Sequence, residues 1–105
     1  MNLQDPQYAV ISTSASGDTT IVAAQTGKRF RVLSWDLTVN GAVNVKWKSG
    51  ASTDKTGLYY FSAAGSGISA PEAENGLFET VAGDALVINL SGLVAVGGRV
   101  TYLAI

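Results

Sequence analysis

Residues 28–50 read KRFRVLSWDLTVNGAVNVKWKSG, two alternating runs around an Asn-Gly dipeptide at 40–41. Asn-Gly between β-type runs is the strongest short-range signal for a two-residue hairpin. The flanking pattern disagrees with that turn. Alternation places Leu33, Trp35, Leu37 and Val39 on one face, with Ser34, Asp36 and Thr38 on the other. Beyond the dipeptide, Val43, Val45 and Trp47 share a face opposite Asn44, Lys46 and Lys48. A two-residue loop would set Val43 beside Thr38 and Val45 beside Asp36, which mixes the apolar and polar faces. Shifting by one residue instead matches Val39 with Val43, Leu37 with Val45 and Trp35 with Trp47. Two arrangements allow this. One is a hairpin with an odd-length loop; the other is a corner at Asn40-Gly41 that carries the chain between two sheets, as in a jelly roll. The corner is the preferred expectation.

The first run also changes character along its length. Strict alternation puts Phe30 and Val32 on the face that later turns polar, and Arg29 and Arg31 on the core face. Either the strand leaves the core and enters a subunit contact through Phe30 and Val32, or it is an edge strand whose arginine stems lie over the core rim.

Outward from this segment the chain is a series of short β-branched and aromatic runs, among them YAVISTSA, TTIVAAQ, TGLYYFSAA, ALVINLSG and VAVGGRVTYLAI. Turn clusters such as SGD, QTGK, AGSG and AGD separate them, and helical periodicity is nowhere sustained. The expectation is an all-β fold: a single-domain antiparallel β-sandwich, jelly-roll-like, of about eight strands. Residues 1–7 are polar, contain Pro6 and read as an arm, leaving 8–105 as the sandwich. AQTGKRFRVLS and TVAGDALVINLS echo each other, most simply because two strands share turn chemistry.

Composition narrows function. Charged residues make up only 14% against 47% hydrophobic, which suggests that some surface meets protein rather than water. Seven Lys/Arg against eight Asp/Glu give no basic face for nucleic acid. Cysteine and histidine are both absent, which removes disulfides, thiolate sites, and the commonest general base and metal ligand. Neither a secretory leader nor a membrane span is expected.

Candidate chemistry is thin. Ser52-Thr53-Asp54-Lys55 and Lys55-Thr56-Gly57 match two motifs of penicillin-interacting serine enzymes, but they share one lysine and open no helix. Glu72, Glu74, Glu79 and Asp84 offer carboxylates for glycosidic acid-base work if two were fixed in a cleft. Asp18, Asp54, Glu72 and Glu74 are scattered candidates for a structural cation, without a calcium-loop motif. Asn89-Leu90-Ser91 is a formal glycosylation sequon inside a strand, and Gly65, Gly67 and Gly97-Gly98 precede no helix that would seat a phosphate. No enzyme activity and no cofactor are expected. The aromatics carry more weight. GLYYF, residues 57–61, sets Tyr60 on one face and Tyr59 with Phe61 on the other; one face points outward, and these aromatics either pack on a subunit, lie in the ordinary core or stack on a sugar ring.

Taken together, SGDTTIVAAQTGKRFRVL, GAVNVKWKSG and GLFETVAGDALVINLS resemble a group of small virion proteins of tailed phages and prophages, over about Ser16 to Leu103. These are turn and core patterns without chemistry. The resemblance implies a structural virion protein: a homotrimer that decorates and stabilises the capsid, with the major capsid protein as its partner. The alternative is the carbohydrate- or receptor-binding head of a fibre. It further implies capsid docking through the arm, Asn2, Leu3, Gln4, Asp5, Pro6 and Gln7, by strand addition. The subunit interface would then use Phe30, Val32, Tyr59, Tyr60 and Phe61. Nucleic acid and membrane are not expected partners.

Overall fold

At Asn40-Gly41 the chain turns a corner. Strand β3 (Phe30–Val39) ends there in one sheet, and β4 (Val43–Ser49) begins in the other. A type I′ hairpin needs positive φ at both central residues, and neither Asn40 nor Gly41 has it. Their surroundings hold the corner instead. The Asn40 N–H donates to the Ala95 carbonyl at 2.9 Å, while Val39 exchanges backbone bonds with Gly65 and Ser66. The apolar match across the dipeptide is therefore a match between layers. Trp35 and Trp47 meet edge to face across the interior, with ring centroids 5.7 Å apart.

A computed structural model describes residues 6–73 and 75–105, and none of these is helical. No helix is therefore long and apolar enough to cross a membrane. The remaining strands are β1 (Gln7–Thr13), β2 (Gly17–Val22), β5 (Thr53–Asp54), β6 (Tyr59–Phe61), β7 (Gly67–Ala70), β8 (Phe78–Glu79), β9 (Leu86–Leu90) and β10 (Val96–Ala104). The first sheet runs β1-β10-β3-β7, with β8 also on β3; the second runs β2-β9-β4-β5, with β6 also on β4. Every pair is antiparallel. The chain changes sheet at each connection except those that join β4, β5 and β6, and β7 to β8. This is the winding of a jelly roll. Ten strands replace the expected eight or so because two edges are broken. Pieces β5 and β6 share one side of β4, and β7 and β8 share one side of β3.

Strict alternation fails in β3, for a reason the partner strand makes plain. Ser34 sits opposite Thr101 and Val32 opposite Tyr102, so Leu33 is an extra residue in a β-bulge. The bulge shifts the phase by one. Phe30 and Val32 then face the same core as Trp35, Leu37 and Val39, and both are fully buried. Phe30 packs edge to face on Tyr102, at 5.5 Å between centroids. Leu33, expected beside Trp35, is buried outside the main core cluster. The expected subunit contact at Phe30 and Val32 is thus corrected: both belong to the chain's own core. Arg31 points away from that core and pairs with Glu79 at 2.6 Å, and Arg29 reaches the same carboxylate.

The two echoing segments hold equivalent turns. In Gln25–Lys28 and Val81–Asp84 the last N–H donates to the first carbonyl, at 3.0 and 2.9 Å. Gly27 and Gly83 both take positive φ, as the third position of a type II turn requires. The turns are neighbours, since the Gly83 N–H donates to the Lys28 carbonyl at 2.8 Å. Buried polar groups close this end of the sandwich. Thr80 Oγ1 accepts from the Phe30 N–H, and Ser49 Oγ donates to Asp84 while accepting from the Val81 N–H.

The sandwich begins at Gln7, one residue before the expected boundary. Gln7 pairs with Tyr102 in the ladder, and its side-chain oxygen accepts from the Tyr102 hydroxyl at 3.1 Å. Of the expected arm, Pro6 is exposed and outside any strand; Asn2, Leu3, Gln4 and Asp5 lie outside the described residues.

Candidate functional site

The two sheets turn very different faces outward. On the second sheet, β2, β9 and β4 place Asp18, Asn89, Lys46 and Lys48 side by side. Lys48 Nζ donates to both Asp18 oxygens, at 3.1 and 3.2 Å, and to the Ala51 carbonyl at 2.8 Å. Asn89 Nδ2 donates to Asp18 at 2.7 Å, and Lys46 pairs with Asp54 at 3.1 Å. The Asn89 hydrogen bond, helped by the bond to and charge of Lys48, holds the Asp18 carboxyl below its ordinary 3.8; partial burial opposes this. This face has spent its charges on itself.

A stability prediction follows from the direction of that shift. A carboxyl whose pKa falls on folding contributes stability above its unfolded pKa, and loses it as pH drops through the lower folded value. Asp18→Asn should therefore lower Tm at pH 7 by several degrees. The gap to the parent should close as pH falls below about 3.8, in thermal melts at both pH values.

The other candidate polar residues are also engaged or dispersed. Glu79 serves Arg29 and Arg31, and Asp84 serves Ser49. Glu72 is exposed, and Glu74 lies outside the described residues. Asp18 and Asp54, proposed for a cation, each face a lysine instead. Among the described residues no three such side chains group to hold a metal ion. Ser52 to Lys55 spans the short β5 hairpin rather than a helix start. The sequon's Asn89 has its amide nitrogen on Asp18, and Ser91 Oγ accepts from the Asn44 N–H.

The first sheet's outer face is built differently. Cross-strand register sets out three rows: Tyr8, Thr101 and Ser34; Val10, Arg99, Asp36 and Ser69; Ser12, Gly97, Thr38 and Gly67. The third row has glycine where side chains would stand. A shallow depression of about 530 Å³ opens there, lined by Asp36, Thr38, Gly67, Ser69, Gly97 and Gly98. The charges on this face are paired as well, Arg99 with Asp36 at 3.7 Å and Arg31 with Glu79 at 2.6 Å. At the margin, Tyr8 and Val10 stand out from β1, 70% and 66% exposed.

Of the expected interface residues, only Tyr60 is a surface group, at 75% exposed beside Asn44 on β4. Phe61 is buried, and Tyr59 packs edge to face on Trp35 at 5.2 Å. Register thus divides Tyr60 from Tyr59 and Phe61 as the alternation predicts. It also turns the pair inward, which corrects their assignment to a subunit contact. The residues missed by sequence reasoning are Tyr8 and Val10. Alternation in QYAVIST marks them as one face of a strand, but only the sheet order shows that β1 is an edge.

No protein-family model matches this chain, and no curated protein matches it in sequence.

Proposed function

We propose that this chain is a structural protein of a tailed-phage particle, a homotrimer that decorates and stabilises the capsid by binding rather than by chemistry. One observation carries the reading: the first sheet leaves a glycine-floored outer face bordered by the exposed Tyr8 and Val10. Such a face suits close protein packing, because little side-chain entropy is lost there and few charges are desolvated. The resemblance in turn and core motifs supports the same reading, as does a composition poor in charge. Contacts to several shell subunits at once would give avidity against outward pressure.

The test is co-sedimentation with capsids assembled from a tailed-phage major capsid protein, with the mass in dilute solution measured by sedimentation equilibrium. The expected results are a trimer and saturable binding, weakened at least tenfold by Thr38→Arg on the outer face. Failure to bind, or equal binding by the variant, would reject the reading. A second reading rests on Tyr60, whose exposed ring beside Asn44 offers a stacking surface for a sugar. It requires binding on a glycan array that Tyr60→Ala removes.

A further inference from the structure

We infer that β1 is a self-association edge, pairing antiparallel with β1 of a second copy about a twofold axis at Val10. An open edge strand is a template for another chain, and proteins blunt such edges with charge, proline, bulges or brevity. The other edges of this sandwich are blunted. Strands β5, β6, β7 and β8 are two to four residues long, and β2 carries Asp18 and an irregular register at Ile21. Strand β1 has none of these devices. Its seven residues, QYAVIST, contain no charge, proline or glycine, and its register with β10 is unbroken. Among the described residues β10 is its sole ladder partner.

A second copy is the occupant that this strand fits. Pairing about Val10 sets Tyr8 against Ser12 of the other copy, Ala9 against Ile11, and Gln7 against Thr13. Outward residues meet outward residues and inward residues meet inward ones, as register requires. With no charge on the strand, the twofold axis brings no like charges together. The nearest, Arg99, lies one strand back on each side and has Asp36 beside it. At about 3.4 Å per residue the strand is roughly 24 Å long. A strip of that length hides less than the ~800 Å² per partner of a standard interface. The contact is therefore weak in dilute solution and strengthened where copies are crowded together. Its twofold symmetry joins two copies and no more. It rests on the edge strand alone and does not depend on the phage reading.

The absence of native cysteine makes a direct test available. Directly opposed residues of an antiparallel pair lie within disulfide reach. Val10→Cys should form a disulfide dimer under mild oxidation at least tenfold faster than Tyr8→Cys or Tyr60→Cys, and Tyr8→Cys mixed with Ser12→Cys should form the heterodimer. All four sites are exposed, so the variants should keep the fold, as circular dichroism would check. Equal rates at Val10, Tyr8 and Tyr60 would overturn the pairing, and fastest linkage at Tyr8 alone would overturn the axis at Val10.

Discussion

Replacing Trp47 with alanine is expected to destabilise the domain by about 3–5 kcal/mol, the range for a buried tryptophan truncated to a methyl. Trp47 is fully buried, and it touches both layers. It stands on β4, meets Trp35 of the facing sheet, and lies 6.2 Å from the Phe78 ring. A domain of this size has about 5–15 kcal/mol in total, so the variant would sit near its unfolding threshold at room temperature. Urea titration should show the midpoint falling with little change in slope. Trp47→Phe separates packing from polarity. The indole N–H of Trp47 is buried and has no acceptor among the described residues. Phenylalanine removes that unsatisfied donor along with part of the ring, so its net cost should be well under half that of alanine. If Trp47→Ala unfolds at the parent's urea concentration, the inter-sheet tryptophan pair does not anchor the core.

The second large effect is expected at Gly98. It lies opposite Leu37 where β10 pairs with β3, and a Cβ there would collide with the Asp36 carbonyl oxygen and come within 2.7 Å of the Leu37 Cα. These are backbone atoms of a central strand and cannot swing aside. Gly98→Ala should therefore cost roughly 3 kcal/mol, the upper end for overpacking a well-packed site. The neighbouring glycine is the control. A Cβ on Gly97 would meet only the Ile11 carbonyl, at 3.9 Å, so Gly97→Ala should change stability by about 0.5 kcal/mol or less. Urea midpoints would measure both, with amide exchange in β3 and β10 locating the damage. Equal effects at the two positions would mean that the strands separate freely at Gly98.

The same two glycines show how the candidate face is made. Gly97 leaves the outer surface open between Ser12 and Thr38, and Gly98 lets β10 lie close against the backbone of β3 in the same sheet. The depression is thus a consequence of strand packing, and a Gly-Gly dipeptide in a sequence does not announce it.

Much of the fold was legible in the chain. Alternation in residues 43–49 assigned Val43, Val45 and Trp47 to the core correctly, because the pleat of β4 is unbroken and these inward positions are apolar. The mismatch across Asn40-Gly41 pointed to a corner, because the period-two pattern reports faces and a face mismatch of one residue cannot be hidden. The shared Gly turns before β3 and β9 were legible too, since positive φ selects glycine locally. Tertiary structure decided the rest. A bulge depends on the partner strand, so only the register against β10 returned Phe30 and Val32 to the core. Pairing of Asp18 with Lys48 depends on β2 and β4 both flanking β9, which no spacing along the chain encodes. The exposed edge at β1 is likewise a property of sheet order. Local chemistry specified turns and faces; which strand lay beside which was set by long-range packing, and with it which residues were left outside.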